Sequence, residues 1–331
     1  MNGRWKLVGA GLAMALCLAV ATTAGAYTNS NKTAGFIGGE ESVGFGTYFD
    51  FEPTLGAIPE GIPANTLIGS YFAVYVQQNG LHGPSGGSIS PAGGAVGAFV
   101  PWGLWFYPWQ PADPHWRFAN QFFMPTVATN SPVSGPQLLW DAPLAVIYAN
   151  SSDVPWMNFS VYSAPYIGAP VGGAFGWTTN NGIGFTGWQF TWIEGADFDL
   201  KDMGPFSGLE WAPDFYYTHQ INSLNIVTPF SGASAAAYMP GDSLVWGNVF
   251  SIPLGKLFRV GADINWATST TAPTIGGSSV KNAGISMVSV GPVLQYSNGP
   301  FTVLAEMARD VHDVNTVAHN VFFVYAYYAY L

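Results

Sequence analysis

Past its first 26 residues the chain is rich in apolar side chains, yet Gly, Pro, Asn and Ser break them into short runs. A helix that crosses a bilayer needs about 20 consecutive apolar residues. Residues 92–109 come nearest, with eighteen uncharged positions, but Pro101, Pro108, four glycines and a dense set of aromatics suit a strand with a turn and not a helix. Charged residues make up only 8% of the chain, where a soluble domain carries roughly 25%. A surface so poor in charge is hard to keep in water. A chain that is apolar and has no spanning helix is left with the other structure that satisfies every backbone group within lipid, a closed β-barrel. The fold class expected is all-β, an antiparallel transmembrane barrel of 12–14 strands. A soluble sandwich would need polar outward positions, whereas many candidate strands here set aromatics on one face against Gly, Ser, Thr or Ala on the other.

The N-terminus fits that destination. Arg4 and Lys6 precede the uncharged apolar stretch Leu7 to Ala21, and Ala24-Gly25-Ala26 forms a small-residue cleavage site. Residues 1–26 read as a signal peptide, and the protein is expected in the bacterial outer membrane. Cys17, the single cysteine, lies inside the signal. The mature chain then has no disulfide, thiolate nucleophile or Cys-ligated metal. Without Arg4 and Lys6, seven basic residues face 19 acidic ones, a net charge of −12. That disfavours nucleic acid or an anionic surface as a partner.

Strand signals follow one plan. Phe258, Val260, Ala262, Ile264 and Trp266 alternate with Arg259, Gly261, Asp263 and Asn265, one face suited to lipid and the other to a wet interior. Gly255-Lys256 joins this run to Asp242 to Leu254 as a two-residue hairpin. Val288 to Tyr296 meets Phe301 to Ala308 through the Asn298-Gly299 turn signal. The last run, Ala318 to Leu331, alternates bulky residues and is expected to close the barrel and engage the barrel-assembly machinery. Short connections near 298–299, 255–256, 220–222 and 179–182 fall on one side, and longer ones at 309–317, 268–282, 230–241 and 195–207 on the other. Further strands are expected near 66–78, 94–107, 115–127, 137–149, 157–167 and 170–178, fourteen in all, with twelve the alternative if the Pro165 to Gly173 region does not let both neighbours span. Residues 27–65 read as an N-terminal extension, periplasmic or within the lumen, and 66–331 as the barrel.

A family resemblance lies in Ile62-Pro63-Ala64 with Gly69-Ser70-Tyr71-Phe72-Ala73-Val74-Tyr75, in Val161-Tyr162-Ser163-Ala164-Pro165, in Pro240-Gly241-Asp242, and above all in Ser289-Val290-Gly291-Pro292-Val293-Leu294-Gln295-Tyr296 followed by Asn298-Gly299-Pro300 and Glu306. Together these resemble the MetA-pathway phenol-degradation barrels. The resemblance implies an outer-membrane protein associated with uptake of aromatic or other hydrophobic compounds. The chain departs from that pattern in ending on Leu331 and in the low charge of its long loops.

Motifs of soluble enzymes occur only by the letter. Gly182-Ile183-Gly184-Phe185-Thr186-Gly187 matches a dinucleotide fingerprint, but a Thr-Asn-Asn turn precedes it and the strand-like Trp188 to Trp192 follows, where the motif needs a helix. Gly83-Pro84-Ser85-Gly86-Gly87 matches a nucleophile elbow within a Gly- and Ser-rich loop. Asp197, Asp199 and Asp202 with Glu194 form the densest acidic cluster, read as a solvated outer loop because Phe198 and Lys201 break a calcium-loop pattern. Asp310, His312 and Asp313 read as loop polarity, and His319 as the start of the last strand. No catalytic set, metal site or cofactor is expected.

The residues that parity turns inward are Arg259, Asp263 and Asn265, with Thr302 and Glu306 on the penultimate strand. On the lipid face a charge such as Arg costs up to about 2–4 kcal/mol at mid-depth. They are expected to line the pore, or to hold the shape of the lumen. The function expected is a non-enzymatic channel for small hydrophobic or aromatic molecules in contact with outer-membrane lipid. A general small-solute porin and a plugged structural or adhesive barrel are the alternatives, with an outer-membrane hydrolase behind them.

Overall fold

The computed structural model describes residues 63–82, 85, 87–90, 94–123, 126–129, 138–149, 154–169, 189–220, 224–226, 236–239, 241–272, 274–275, 277–279, 284, 286–298, 301–314 and 317–330, preceded by the two-residue strands Val43–Gly44 and Tyr48–Phe49. The expected signal peptide and strand 170–178 lie outside these residues, as does most of the extension 27–65.

Twelve long strands carry the fold: β1 (Leu67–His82), β2 (Gly94–Phe106), β3 (Trp116–Phe123, prolonged by Thr126–Thr129), β4 (Leu138–Ala149), β5 (Met157–Ala169), β6 (Gln189–Leu200), β7 (Glu210–Gln220), β8 (Ser243–Leu254), β9 (Phe258–Ser269), β10 (Ser286–Asn298), β11 (Phe301–Val314) and β12 (Val317–Tyr330). Each pairs antiparallel with the next. β12 then pairs with β1, from Val317↔Leu81 to Tyr330↔Leu67. The meander therefore returns on itself, and each of the twelve has a partner on both edges. The expected 12–14 strands resolve to twelve among the described residues. Near the connection expected at 220–222, Leu224–Ile226 leaves the ring and joins Ala236–Met239, Thr274–Ile275 and Ser278–Ser279 in a small separate sheet.

Because Leu67 pairs with Tyr330, the ends of the ring meet at one rim. The strand ends at 106 and 116, 149 and 157, 200 and 210, 254 and 258, and 298 and 301 share that rim, while those at 82 and 94, 129 and 138, 169 and 189, 220 and 243, 269 and 286, and 314 and 317 lie at the far one. The longer connections thus gather at the far rim, as outer-membrane barrels arrange them. Three expectations are corrected. The connection expected at 220–222 on the terminal side is no short turn there: β7 ends at Gln220 and β8 begins at Ser243, both at the far rim. The segment 195–207 is no far-side loop: β6 runs through Leu200, and the 3-10 turn Gly204–Phe206 sits at the terminal rim. Nor is 309–317 a long loop, since β11 and β12 are separated by two residues. The hairpin at 255 is one residue longer than expected, because Leu254 pairs with Phe258 and leaves Gly255 at φ +77° to start the reversal.

Period-2 alternation decides which side chains face in. On β9 the residues Arg259, Asp263, Asn265 and Ala267 are buried, whereas Phe258, Ala262, Ile264 and Trp266 are exposed. In a closed ring the buried face is the inside. The outer face carries large apolar groups, among them Trp192, Trp211, Trp246, Phe250, Trp266 and Phe322. Near the terminal rim a band of rings crosses four strands: Phe159 and Phe198 have centroids 6.5 Å apart, Phe198 and Trp211 5.3 Å, and Trp211 and Phe250 6.3 Å. Aromatics at this level form the interfacial girdle of a membrane barrel.

Candidate functional site

The inward face is built by the same alternation on the neighbouring strands whose side chains are described. On β7 the buried residues Glu210, Ala212, Asp214, Tyr216 and Thr218 alternate with Trp211, Pro213, Phe215, Tyr217 and His219, which are exposed or half-buried. All five residues selected from the sequence lie on the buried face: Arg259, Asp263, Asn265, Thr302 and Glu306. They do not form one group.

Arg259 belongs to the terminal rim. Its Nε lies 3.0 Å from Glu210 Oε2 and donates to Ser251 Oγ at 2.9 Å, and its Nη2 donates to the Gly208 carbonyl at 2.8 Å. Ser251 Oγ in turn donates to Glu210 Oε2 at 2.5 Å. Arg259 is 6% exposed and Glu210 0%. A buried charge pair of this kind depends on further hydrogen bonds to offset its desolvation, and Ser251 and the Gly208 carbonyl supply them to Glu210 Oε2 and the guanidinium. The network ties β9 to β7, β8 and the 201–209 turn. Thr302 lies at the same rim, donating to Ser297 Oγ at 3.0 Å, and Gln295 Nε2 donates to the same oxygen at 2.7 Å.

Asp263 and Asn265 sit further in, near the middle of β9. Asn265 Nδ2 donates to Asp263 Oδ2 at 2.5 Å. Cross-strand pairing sets Asn265 opposite Gly247 on β8, and Gly247 opposite Asp214 on β7. Gly247 leaves the space that both neighbours lean into: a Cβ there would lie 2.9 Å from Asn265 Oδ1 and 2.9 Å from Asp214 Cγ. Tyr216 OH, at 3.4 Å from Asp214 Oδ2, lies beside the other carboxylate oxygen. The pattern repeats one strand away, where Tyr162 on β5 lies over Gly195 on β6. Glu306 occupies the inner face of β11 opposite Val293.

The acidic cluster read as a solvated loop is divided by the fold. Asp197 is buried on the inner face of β6, and Asp199 is half-buried on the same face two residues on. Only Asp202 lies in the turn, with φ +50°. Glu194 points outward and accepts from Trp192 Nε1 at 2.5 Å and Ser163 Oγ at 2.8 Å. Asp310, His312 and Asp313 likewise lie on β11, with Asp313 buried and His312 exposed. Sequence reasoning therefore missed Glu210, Asp214 and Asp197 as inward groups. Alternation against Trp211 and Phe215 could have found the first two.

Among the described residues six buried carboxylates, on Asp197, Glu210, Asp214, Asp263, Glu306 and Asp313, stand beside two buried guanidinium groups, on Arg117 and Arg259. The same face carries apolar side chains in about equal measure, including Ile193, Val245, Val249, Met287, Val293 and Leu304. Twelve strands stand between the eight that side chains fill and the sixteen or more that leave a wide aqueous channel. The interior is thus narrow, half apolar and acidic.

No family model and no curated protein matches the chain. Among solved structures it is similar to an outer-membrane channel from Pseudomonas putida F1, with TM-score 0.65 and 12% identity over 82% of this chain and 97% of that one. It also aligns, at TM-score 0.39, with the CymD monoaromatic hydrocarbon channel, with 7% identity over 81% of this chain and 88% of that one. The NanC porin gives the same TM-score, with 9% identity over 80% and 98% of the two chains. The last two are too distant to carry an argument. Closed ring, apolar exterior and the first of these likenesses agree: the chain has the β-barrel fold of the bacterial outer membrane.

Proposed function

We propose that the chain forms a narrow outer-membrane channel for small, largely hydrophobic solutes. The observation that carries this reading is the mixed inner face, on which aliphatic side chains such as Val245 and Val249 share the wall with fixed polar groups in about equal measure. Sites for small organic molecules combine apolar wall with orienting polar atoms. The abundance of aromatics, which in the sequence suggested an aromatic-lined passage, supports the reading less: among the described residues most large aromatics are on the outside, and Phe106, Tyr162 and Tyr216 are the buried ones.

A general porin is the second reading, favoured by the surplus of inward carboxylates, because rings of charge set the selectivity of open aqueous pores. Uptake by cells expressing the protein separates the two. The proposal expects faster entry of small alkyl and aromatic solutes with low ion conductance of the purified protein in planar bilayers. Porin-like conductance without gain in hydrophobic uptake would instead favour the second reading, and no flux of either kind a plugged barrel.

A further inference from the structure

We infer that Asp242 is a latch: it ties the base of a short tongue, the continuation of β7, β8 and β9 beyond the far rim, to the barrel wall, and its release lets the tongue close over the mouth. The latch itself is independent of the channel reading above, and the closure rests on that reading.

Strand pairing defines the tongue. The small sheet sets Leu224–Ile226 beside Ala236–Met239, and the latter beside Thr274–Ile275. Leu224–Ile226 follows β7 in the chain, Ala236–Met239 precedes β8 and Thr274–Ile275 follows β9, so the order of the three ring strands is kept. The last ring pair of β8 and β9 is Ser243↔Ser269, and the first tongue pair is Met239↔Thr274, four residues away along one arm and five along the other. An extra residue in one arm of an antiparallel pair bends the ladder where it is inserted. The base of the tongue is therefore a bend, and strands of two to four residues have little stability of their own to fix its direction.

Asp242 sits in that bend and is held from both neighbouring strands. Its carbonyl accepts from Thr270 N at 2.7 Å and from Thr270 Oγ1 at 3.2 Å, and its backbone N–H donates to Thr271 Oγ1 at 2.7 Å. The two arms run so close that any Cβ on Gly241 would meet the Thr271 carbonyl. The Asp242 side chain reaches the other way, to β7, where Tyr217 OH donates to Oδ2 at 2.9 Å and His219 Nδ1 lies 2.7 Å from Oδ1. Hydrogen bonds to a carboxylate are roughly twice as strong as those between neutral groups. Tyr217 and His219 belong to the outward face of β7, and Asp242 shares the outward parity of Trp246 on β8. The tether thus runs along the outside of the wall, where it opposes a swing of the tongue toward the lumen. A few residues at the end of an element suffice as the hinge of such a swing.

The test is distance measurement by pulsed electron paramagnetic resonance on the chain beginning at Tyr27, which has no cysteine of its own, reconstituted in lipid. Nitroxides are placed on Ser279→Cys in the tongue and Ile252→Cys on the outer face of β8. Without further change the distribution should be single and narrow. Asp242→Ala should broaden it at least about twofold or add a second distance. Should that variant fail to insert, Tyr217→Phe combined with His219→Ala, which spares the Asp242 backbone contacts, should do the same. His312→Ala, exposed at the same rim on β11, should leave the distribution as it is. In cells, either unlatching change should slow the entry of toluene at least about twofold. Unaltered distances in both unlatched forms overturn the latch, whether or not the protein passes solute. A displaced tongue with undiminished toluene entry overturns the closure and leaves the channel standing. If the unchanged protein admits no toluene, the channel reading fails and the closure with it, while the distances still decide the latch.

Discussion

Arg259 and Asp263 lie two inward positions apart on β9, and their surroundings give them different work. Arg259 is held by Glu210, Ser251 and the Gly208 carbonyl. Removing it leaves Glu210 buried without that partner, a change that costs about 3–5 kcal/mol for pairs of this type. Arg259→Ala is therefore expected to lower the unfolding midpoint in detergent, seen as earlier loss of the compact, heat-modifiable gel band, while Arg259→Lys recovers part of the loss. An unchanged midpoint for Arg259→Ala would show that the pair holds nothing together. Gly195 tests packing on the same face. A methyl group there meets the Tyr162 ring, and overpacking of this kind costs about 1–3 kcal/mol. Gly195→Ala should destabilise the barrel, and to a similar degree in a Tyr162→Phe background, which keeps the ring, whereas in a Tyr162→Ala background the same change should cost little. Of these contacts the sequence revealed only parity: it turned Arg259, Asp263 and Asn265 inward. It could not reveal that Arg259 answers to Glu210, because their proximity depends on the register between β7, β8 and β9.

At the scale of the element, β12 illustrates how much local pattern can carry. Its alternating bulky residues mark it as a strand, and β1 at the other end of the chain is marked in the same way. Their pairing over fourteen residue pairs is what joins the two ends of the ring. Deleting Tyr325 to Leu331 removes six of those fourteen pairs and exposes backbone groups, each costing several kcal/mol in lipid. The truncated chain should fail to reach a heat-stable form in outer membranes, and its recovery there at wild-type level would contradict closure through this strand. The strands whose sequence misled are instructive for a physical reason. β6 carries Asp197 and Asp199, a composition that reads as solvated loop, yet both lie on the inner face where a barrel tolerates charge. The segment at 224–226 has strand character but pairs outside the ring, and alternation alone cannot say which sheet a short strand joins.

For the whole molecule, scarcity of charge and short apolar runs were enough to indicate a closed barrel, because few other structures satisfy both in lipid. Strand number was not legible. It follows from long-range pairing, and a single strand more or less near residue 224 reverses which rim every earlier connection occupies. The account as a whole stands on one division, apolar side chains toward lipid and the mixed acidic face toward the interior. Cys17 is the only cysteine and lies in the segment expected to be removed. Chains beginning at Tyr27 can therefore carry one introduced cysteine each, at positions 261 to 267 along β9, labelled with an environment-sensitive fluorophore and reconstituted with lipids whose acyl chains carry a quencher. Labels at Ala262, Ile264 and Trp266 should be strongly quenched, and those at Gly261, Asp263, Asn265 and Ala267 weakly, in strict alternation. Uniform quenching, a helical period or the opposite parity would contradict the division of faces on which the proposed channel depends.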